Sequence, residues 1–79
     1  MPRLLFLGRL QDLAGTAERR VDAPPSGTVA GLIAALEPQL AGELASPRVR
    51  VAVNGVLAGH ATMVAGDDEV AFLPPVSGG

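Results

Sequence analysis

Four bulky apolar residues, Leu4-Leu5-Phe6-Leu7, run without interruption near the start of the chain, closed off by Pro2 on one side and Gly8 on the other. An apolar run this short, bounded by helix breakers, predicts a strand. Alternation puts Leu5 and Leu7 on one face and Leu4 and Phe6 on the other. The strand is therefore either interior and covered on both sides, or covered on one side with the other available to a partner. The leucines of Arg9-Leu10-Gln11-Asp12-Leu13-Ala14-Gly15 are three apart, which predicts a short helical turn stopped at Gly15. Residues 16–22 alternate small or apolar with polar positions and predict a half-exposed strand.

After the break Ala23-Pro24-Pro25-Ser26-Gly27 the period changes. Val29, Leu32, Ile33 and Leu36 have helical spacing, and Thr28 stands where an N-cap belongs. Pro38 cannot sit in a regular helix interior, so this main helix is expected to end near Leu36, or to kink and continue irregularly to Leu44. A second break, Ala45-Ser46-Pro47, precedes residues 48–53, in which Val49, Val51 and Val53 alternate with Arg48, Arg50 and Ala52. That pattern predicts a strand with one core face and one wet face. Asn54-Gly55 predicts a tight hairpin turn. Residues 56–64 then hold a short return strand and a connection, Gly66-Asp67-Asp68 reads as another turn, and residues 69–73 form a last strand stopped by Pro74. Strands before and after one long helix imply an α+β arrangement, a single sheet with a helix across one face. The first and last strands are the most apolar and are expected at its centre.

Composition narrows the class. A chain of 79 residues supports one domain, burying only about 60% of its unfolded surface. A hydrophobic fraction of 48% with net charge −2 belongs to a globular chain. All six basic residues are arginines set against eight acidic ones, which leaves no basic field for nucleic acid. Cysteine is absent, so there is no disulfide framework, thiolate nucleophile or cysteine metal site. Lysine is absent too, so the chain could act as a donor in isopeptide chemistry but not as a lysine-linked acceptor. No apolar run approaches a signal core or a membrane span, and a cytoplasmic location is expected.

The unusual stretch is the end, Leu73-Pro74-Pro75-Val76-Ser77-Gly78-Gly79. Gly78 and Gly79 carry no Cβ and suit a backbone that threads a narrow channel. The reactive group offered there is the α-carboxylate of Gly79, ionised at neutral pH. Pro74 and Pro75, with locked φ and no N–H, end the strand and start the tail in an extended, stiff form. At full extension residues 76–79 carry the carboxylate about 14 Å beyond Pro75, enough to enter a partner's active site. The reading is a body over residues 1–73 with a working tail over residues 74–79.

Other candidates are weaker. His60 is the only histidine and lacks the companions of a metal site or catalytic base. Asp67 and Asp68 are explained by turn chemistry. Arg9 is a candidate partner contact, and Phe72, two residues before the prolines, is another if it faces outward.

The strand order, the Asn54-Gly55 turn, the Gly66-Asp67-Asp68 turn, the N-terminal FLGRLQDLAG and above all the ending VAFLPPVSGG resemble the ubiquitin-like β-grasp sulfur carriers, in particular the molybdopterin synthase small-subunit (MoaD) type. The resemblance implies a β-grasp fold, with a mixed sheet of about five strands, one main helix across a face and an extended C-terminal tail. It also implies a thiocarboxylate cycle. A ubiquitin-activating-type enzyme uses ATP to adenylate Gly79, because a carboxylate is a poor electrophile and its mixed anhydride with AMP a good one. Sulfur from a persulfide then replaces AMP. The thiocarboxylate enters the large synthase subunit, in a complex of two of each chain, and gives sulfur to a pterin precursor in molybdenum cofactor biosynthesis. Gly79 and Gly78 are the reactive residues in that scheme, and Arg9, Phe72, Pro74, Pro75, Val76 and Ser77 the partner-facing ones. The chain itself binds no cofactor. A carrier for thiamin or another pathway, or a ubiquitin-like modifier of other proteins, uses the same terminus.

Overall fold

A computed structural model describes residues 1–75. In chain order the elements are β1 (Arg3–Phe6), α1 (Leu10–Ala14), β2 (Glu18–Arg20), α2 (Val29–Ala34), α3 (Pro38–Leu44), β3 (Arg50–Val53), β4 (Val56–Ala58) and β5 (Glu69–Leu73). The strands form one sheet in the order β2-β1-β5-β3-β4. β1 and β5 are parallel, and the other neighbours are antiparallel. The two most apolar strands are thus paired, with β5 in the middle, as their composition requires.

Strand alternation divides β1 and β5 cleanly. Leu4, Phe6, Val70 and Phe72 are buried, whereas Leu5, Ala71 and Leu73 are half-buried on the other face. The core forms between the first set and Val29, Leu32 and Ile33 of α2, Leu40 and Leu44 of α3, and Leu10, Leu36, Val49, Val51 and Val64. Of the two readings open for β1, the structure has the strand covered by helices on one face only. Ala52, expected on the wet face, is nearly closed off, since it sits in register between Ala71 and Leu57.

Of the two readings of the helical region, the structure has the helix ending near Leu36, and it adds a further helix after that end. Thr28 does cap α2, its hydroxyl accepting from the Gly31 N–H at 3.1 Å. The helix then stops at Ala34, and a second helix, α3, begins at Pro38. Proline at the first position of a helix has a suitable φ and lacks an N–H that would go unbonded there, so Pro38 starts a helix instead of disrupting one. α3 joins α2 in covering the face. α1 ends as expected at Gly15, whose φ is 78°. β2 is shorter than residues 16–22, because only residues 18–20 keep register with β1.

The turns at one end of the sheet are joined. Asn54 and Gly55 both have positive φ, 51° and 82°, the pair of values that a two-residue hairpin turn needs. The Asn54 side chain donates to Asp68 Oδ1 at 3.0 Å and accepts from the Glu69 N–H at 3.0 Å. Asp68 Oδ2 accepts from the Ala65 N–H at 2.9 Å, and the N-terminal ammonium donates to Asp67 at 2.9 Å.

Candidate functional site

Parallel pairing of β1 and β5 brings the ends of both strands to the edge of the sheet opposite those turns. Phe6 is in register with Phe72, and the Leu7 N–H donates to the Phe72 carbonyl at 3.1 Å. Two residues further along, Gly8 and Pro74 face each other. Pro74 has no N–H to give, so the ladder ends there and β5 stops at Leu73. Pro74 and Pro75 are half-buried, so the root of the tail lies against the body of the protein. Val76, Ser77, Gly78 and Gly79 lie outside the described residues.

β1 leads directly into the turn that starts α1. The Leu10 N–H donates to the Leu7 carbonyl and the Gln11 N–H to that of Gly8, both at 3.1 Å. Gly8 has a φ of 55°, and a Cβ added to it would lie 2.9 Å from Pro74 Cγ. Such a carbon needs about 3.4 Å or more, so the absence of a side chain at Gly8 is a condition of this packing. Arg9, exposed next to it, reaches Glu43 of α3 at 3.6 Å.

Phe72 requires a correction. It is completely enclosed, stacked on Phe6 with ring centroids 5.8 Å apart and planes 14° from parallel. The alternation of β5 points its ring into the core, so it presents no side chain to a partner. The apolar residue beside the prolines on the open face is Leu73, paired with Arg50 across the sheet. Leu5, Ala71 and the exposed Leu57 continue that face. His60 is half-buried, and its carbonyl accepts from the Ala30 N–H at 2.9 Å. No cluster of potential metal ligands occurs among the described residues.

The perturbed ionisable groups have structural causes. The Ala65 N–H and then Asn54 hold the Asp68 carboxyl below the usual range, and the N-terminal ammonium does the same for Asp67. Arg19 hydrogen-bonds Glu37 through two contacts, 2.7 and 3.0 Å, which lowers the glutamate and raises the arginine.

Comparison with known proteins agrees with this arrangement. Residues 4–79 match the ThiS family. A Haloferax volcanii protein, HVO 2177, is similar in structure at 32% identity and a TM-score of 0.78, over 99% of this chain and 85% of that one. SAMP1, also from Haloferax volcanii, is similar at 26% identity and a TM-score of 0.74, over 99% of this chain and 98% of that one. A protein from Pyrococcus furiosus described as molybdopterin converting factor, subunit 1, shares the fold at 23% identity and a TM-score of 0.74, over 95% and 97% of the two chains. No curated protein matches the chain significantly. No helix among the described residues is long and apolar enough to cross a membrane.

Proposed function

Since the chain belongs to the ThiS family of ubiquitin-like β-grasp sulfur carriers, we propose that it carries sulfur as a thiocarboxylate on Gly79 and delivers it to a pterin precursor as the small subunit of a molybdopterin synthase. The observation that carries this reading is that the family match runs through the whole tail to Gly79. The Gly79 carboxylate attacks the α-phosphate of ATP in the site of a ubiquitin-activating-type partner, and pyrophosphate leaves. The terminal sulfur of a persulfide then attacks the acyl carbon and displaces AMP. A thiol cleaves the remaining sulfur–sulfur bond, leaving the thiocarboxylate. No side chain of the carrier takes part. Its contribution is to hold the reacting terminus where an otherwise bimolecular transfer becomes effectively unimolecular. The sequence has no cysteine, so no internal thiol competes for the activated acyl group.

The test is intact-mass measurement of the native chain, followed by reconstitution with a molybdopterin synthase large subunit. The expected results are replacement of one oxygen by sulfur, and pterin sulfuration that is lost when Gly79 is deleted. Sulfuration that survives the deletion refutes the carrier reading. A thiocarboxylate that forms normally yet supplies only thiazole synthesis retains the carrier and changes the acceptor. The similarity to SAMP1 keeps a modifier reading in view, and conjugates appearing as ladders of added mass would favour it.

A further inference from the structure

The base of the tail rests on a glycine in the turn between β1 and α1. We propose that Gly8 is a positioning residue, its bare Cα allowing Pro74 to seat against the turn after β1 and so setting the direction in which the chain leaves the sheet toward Gly79. This rests on the reading that Gly79 is the group activated.

Register makes the two residues neighbours, since Phe6 pairs with Phe72 and the chains run parallel. A Cβ at Gly8 would meet Pro74 Cγ at 2.9 Å and Cδ at 3.7 Å. A long side chain could swing away from such an encounter. A pyrrolidine ring, closed onto its own backbone nitrogen, can give only by changing its pucker at Cγ. The rest of the relief falls on the main chain at Pro74, next to Pro75, whose φ is also fixed. On the other side Gly8 is held by the turn it starts, its carbonyl accepting from the Gln11 N–H. Reaction rates respond steeply to misplacement of a reacting group, about a hundredfold for an error near 1 Å.

Gly8 also has a φ of 55°, so any side chain there brings backbone strain as well as the contact. Two features of the molecule separate these effects. Gly66 has nearly the same φ, 56°, with nothing within 4 Å of an added Cβ, so Gly66→Ala reproduces the strain without the contact. Asparagine tolerates positive φ, as Asn54 does here at 51°, so Gly8→Asn introduces the contact with less strain than Gly8→Ala.

The experiment measures ATP–pyrophosphate exchange by the adenylating partner with the full-length chain and its variants, together with their thermal midpoints. The expected result is a fall in kcat of about tenfold or more for Gly8→Asn with little change in KM, and an unchanged kcat for Gly66→Ala at any temperature where it is folded. In a Pro74→Ala background, which removes Cγ and Cδ, the effect of Gly8→Asn should disappear. Equal kcat for wild type and Gly8→Asn overturns the proposal. So does a loss of the same size with and without the Pro74→Ala change, which would mean that Gly8 acts on something other than Pro74. Failure of the wild-type chain itself to support exchange overturns the carrier reading and, with it, the purpose assigned to the contact. NMR cross-peaks between Gly8 Hα and the Pro74 ring, present in wild type and Gly66→Ala and altered in Gly8→Asn, check the packing independently. Their absence from the wild type overturns the proposal.

Discussion

Replacing Phe72 separates a core role from a docking role. The ring is fully enclosed and stacked on Phe6, so the change acts on packing. Phe72→Ala removes the ring and leaves a cavity, a loss of about 3–5 kcal/mol. Phe72→Leu keeps most of the volume. It loses the aromatic pair, about 0.5–1.5 kcal/mol, and incurs an imperfect-fit term of up to about 1.5 kcal/mol, together about 2 kcal/mol. For 79 residues the whole stability is about 4–12 kcal/mol. The alanine variant can therefore lose most of its folded population, whereas the leucine variant stays folded with a thermal midpoint lowered by about 8–16 °C. The sequence contains no Trp or Tyr, so far-UV circular dichroism is the appropriate probe of unfolding. Below its midpoint, Phe72→Leu should serve the adenylating partner with an unchanged KM. A variant with an unaltered midpoint and a raised KM would refute the reasoning, because it would put the ring in contact with the partner and not with Phe6.

Asn54→Gly keeps the backbone angles of the hairpin turn but removes the side chain's two hydrogen bonds to Asp68 and Glu69, and it should cost about 1 kcal/mol in a urea titration; no loss would mean that the turns fold independently. Pro38→Ala should change stability by less than about 1 kcal/mol and leave helix content unaltered, since Pro38 holds the first position of α3. A clear gain in helicity would mean that Pro38 had been interrupting one helix. Acid should destabilise the chain through Asp67, Asp68 and Glu37, whose folded pKa values lie below their ordinary ones. The unfolded state binds more protons there, so the stabilisation is complete above about pH 5 and is lost as pH falls through the depressed values. Urea midpoints that stay level across the acid range would contradict this.

Much of the fold was legible because its signals are local. The period-two alternation of residues 48–53, the Asn54-Gly55 pair and the apolar runs at both ends are each interpretable within a few residues, and β3, β4, β1 and β5 form there. The end of the helix before Pro38 was legible, but the start of α3 at Pro38 was not, because a proline reads alike as the end of one helix and the start of another. Alternation narrowed Phe72 and Leu73 to opposite faces, but which face is core depends on where α2 and α3 lie. The end of β5 was visible from Pro74 and Pro75. The contacts around it were not. Gly8 against Pro74 depends on the parallel register of β1 and β5, and Arg9 with Glu43 joins elements more than thirty residues apart in the chain. Gly8 closing an apolar run was itself a signal, and pairing the first strand with the last would have set it opposite Pro74.

The two ends of the sheet are built for different purposes. At one end the N-terminus, the Asn54-Gly55 turn and the Gly66-Asp67-Asp68 turn are tied together by side-chain hydrogen bonds and an ion pair. At the other, a glycine and two prolines meet, and these residues control direction by what they lack: a Cβ at Gly8 and N–H groups at Pro74 and Pro75. β5 connects the two ends and is hydrogen-bonded on both sides, by β1 and β3. Local opening begins where few partners hold the backbone, which here means the three-residue edge strands β2 and β4. The root of the tail at Pro74 follows the central strand, away from the strands where opening begins. On the proposed reading, a carrier that presents one carboxylate to successive partners gains from such a root.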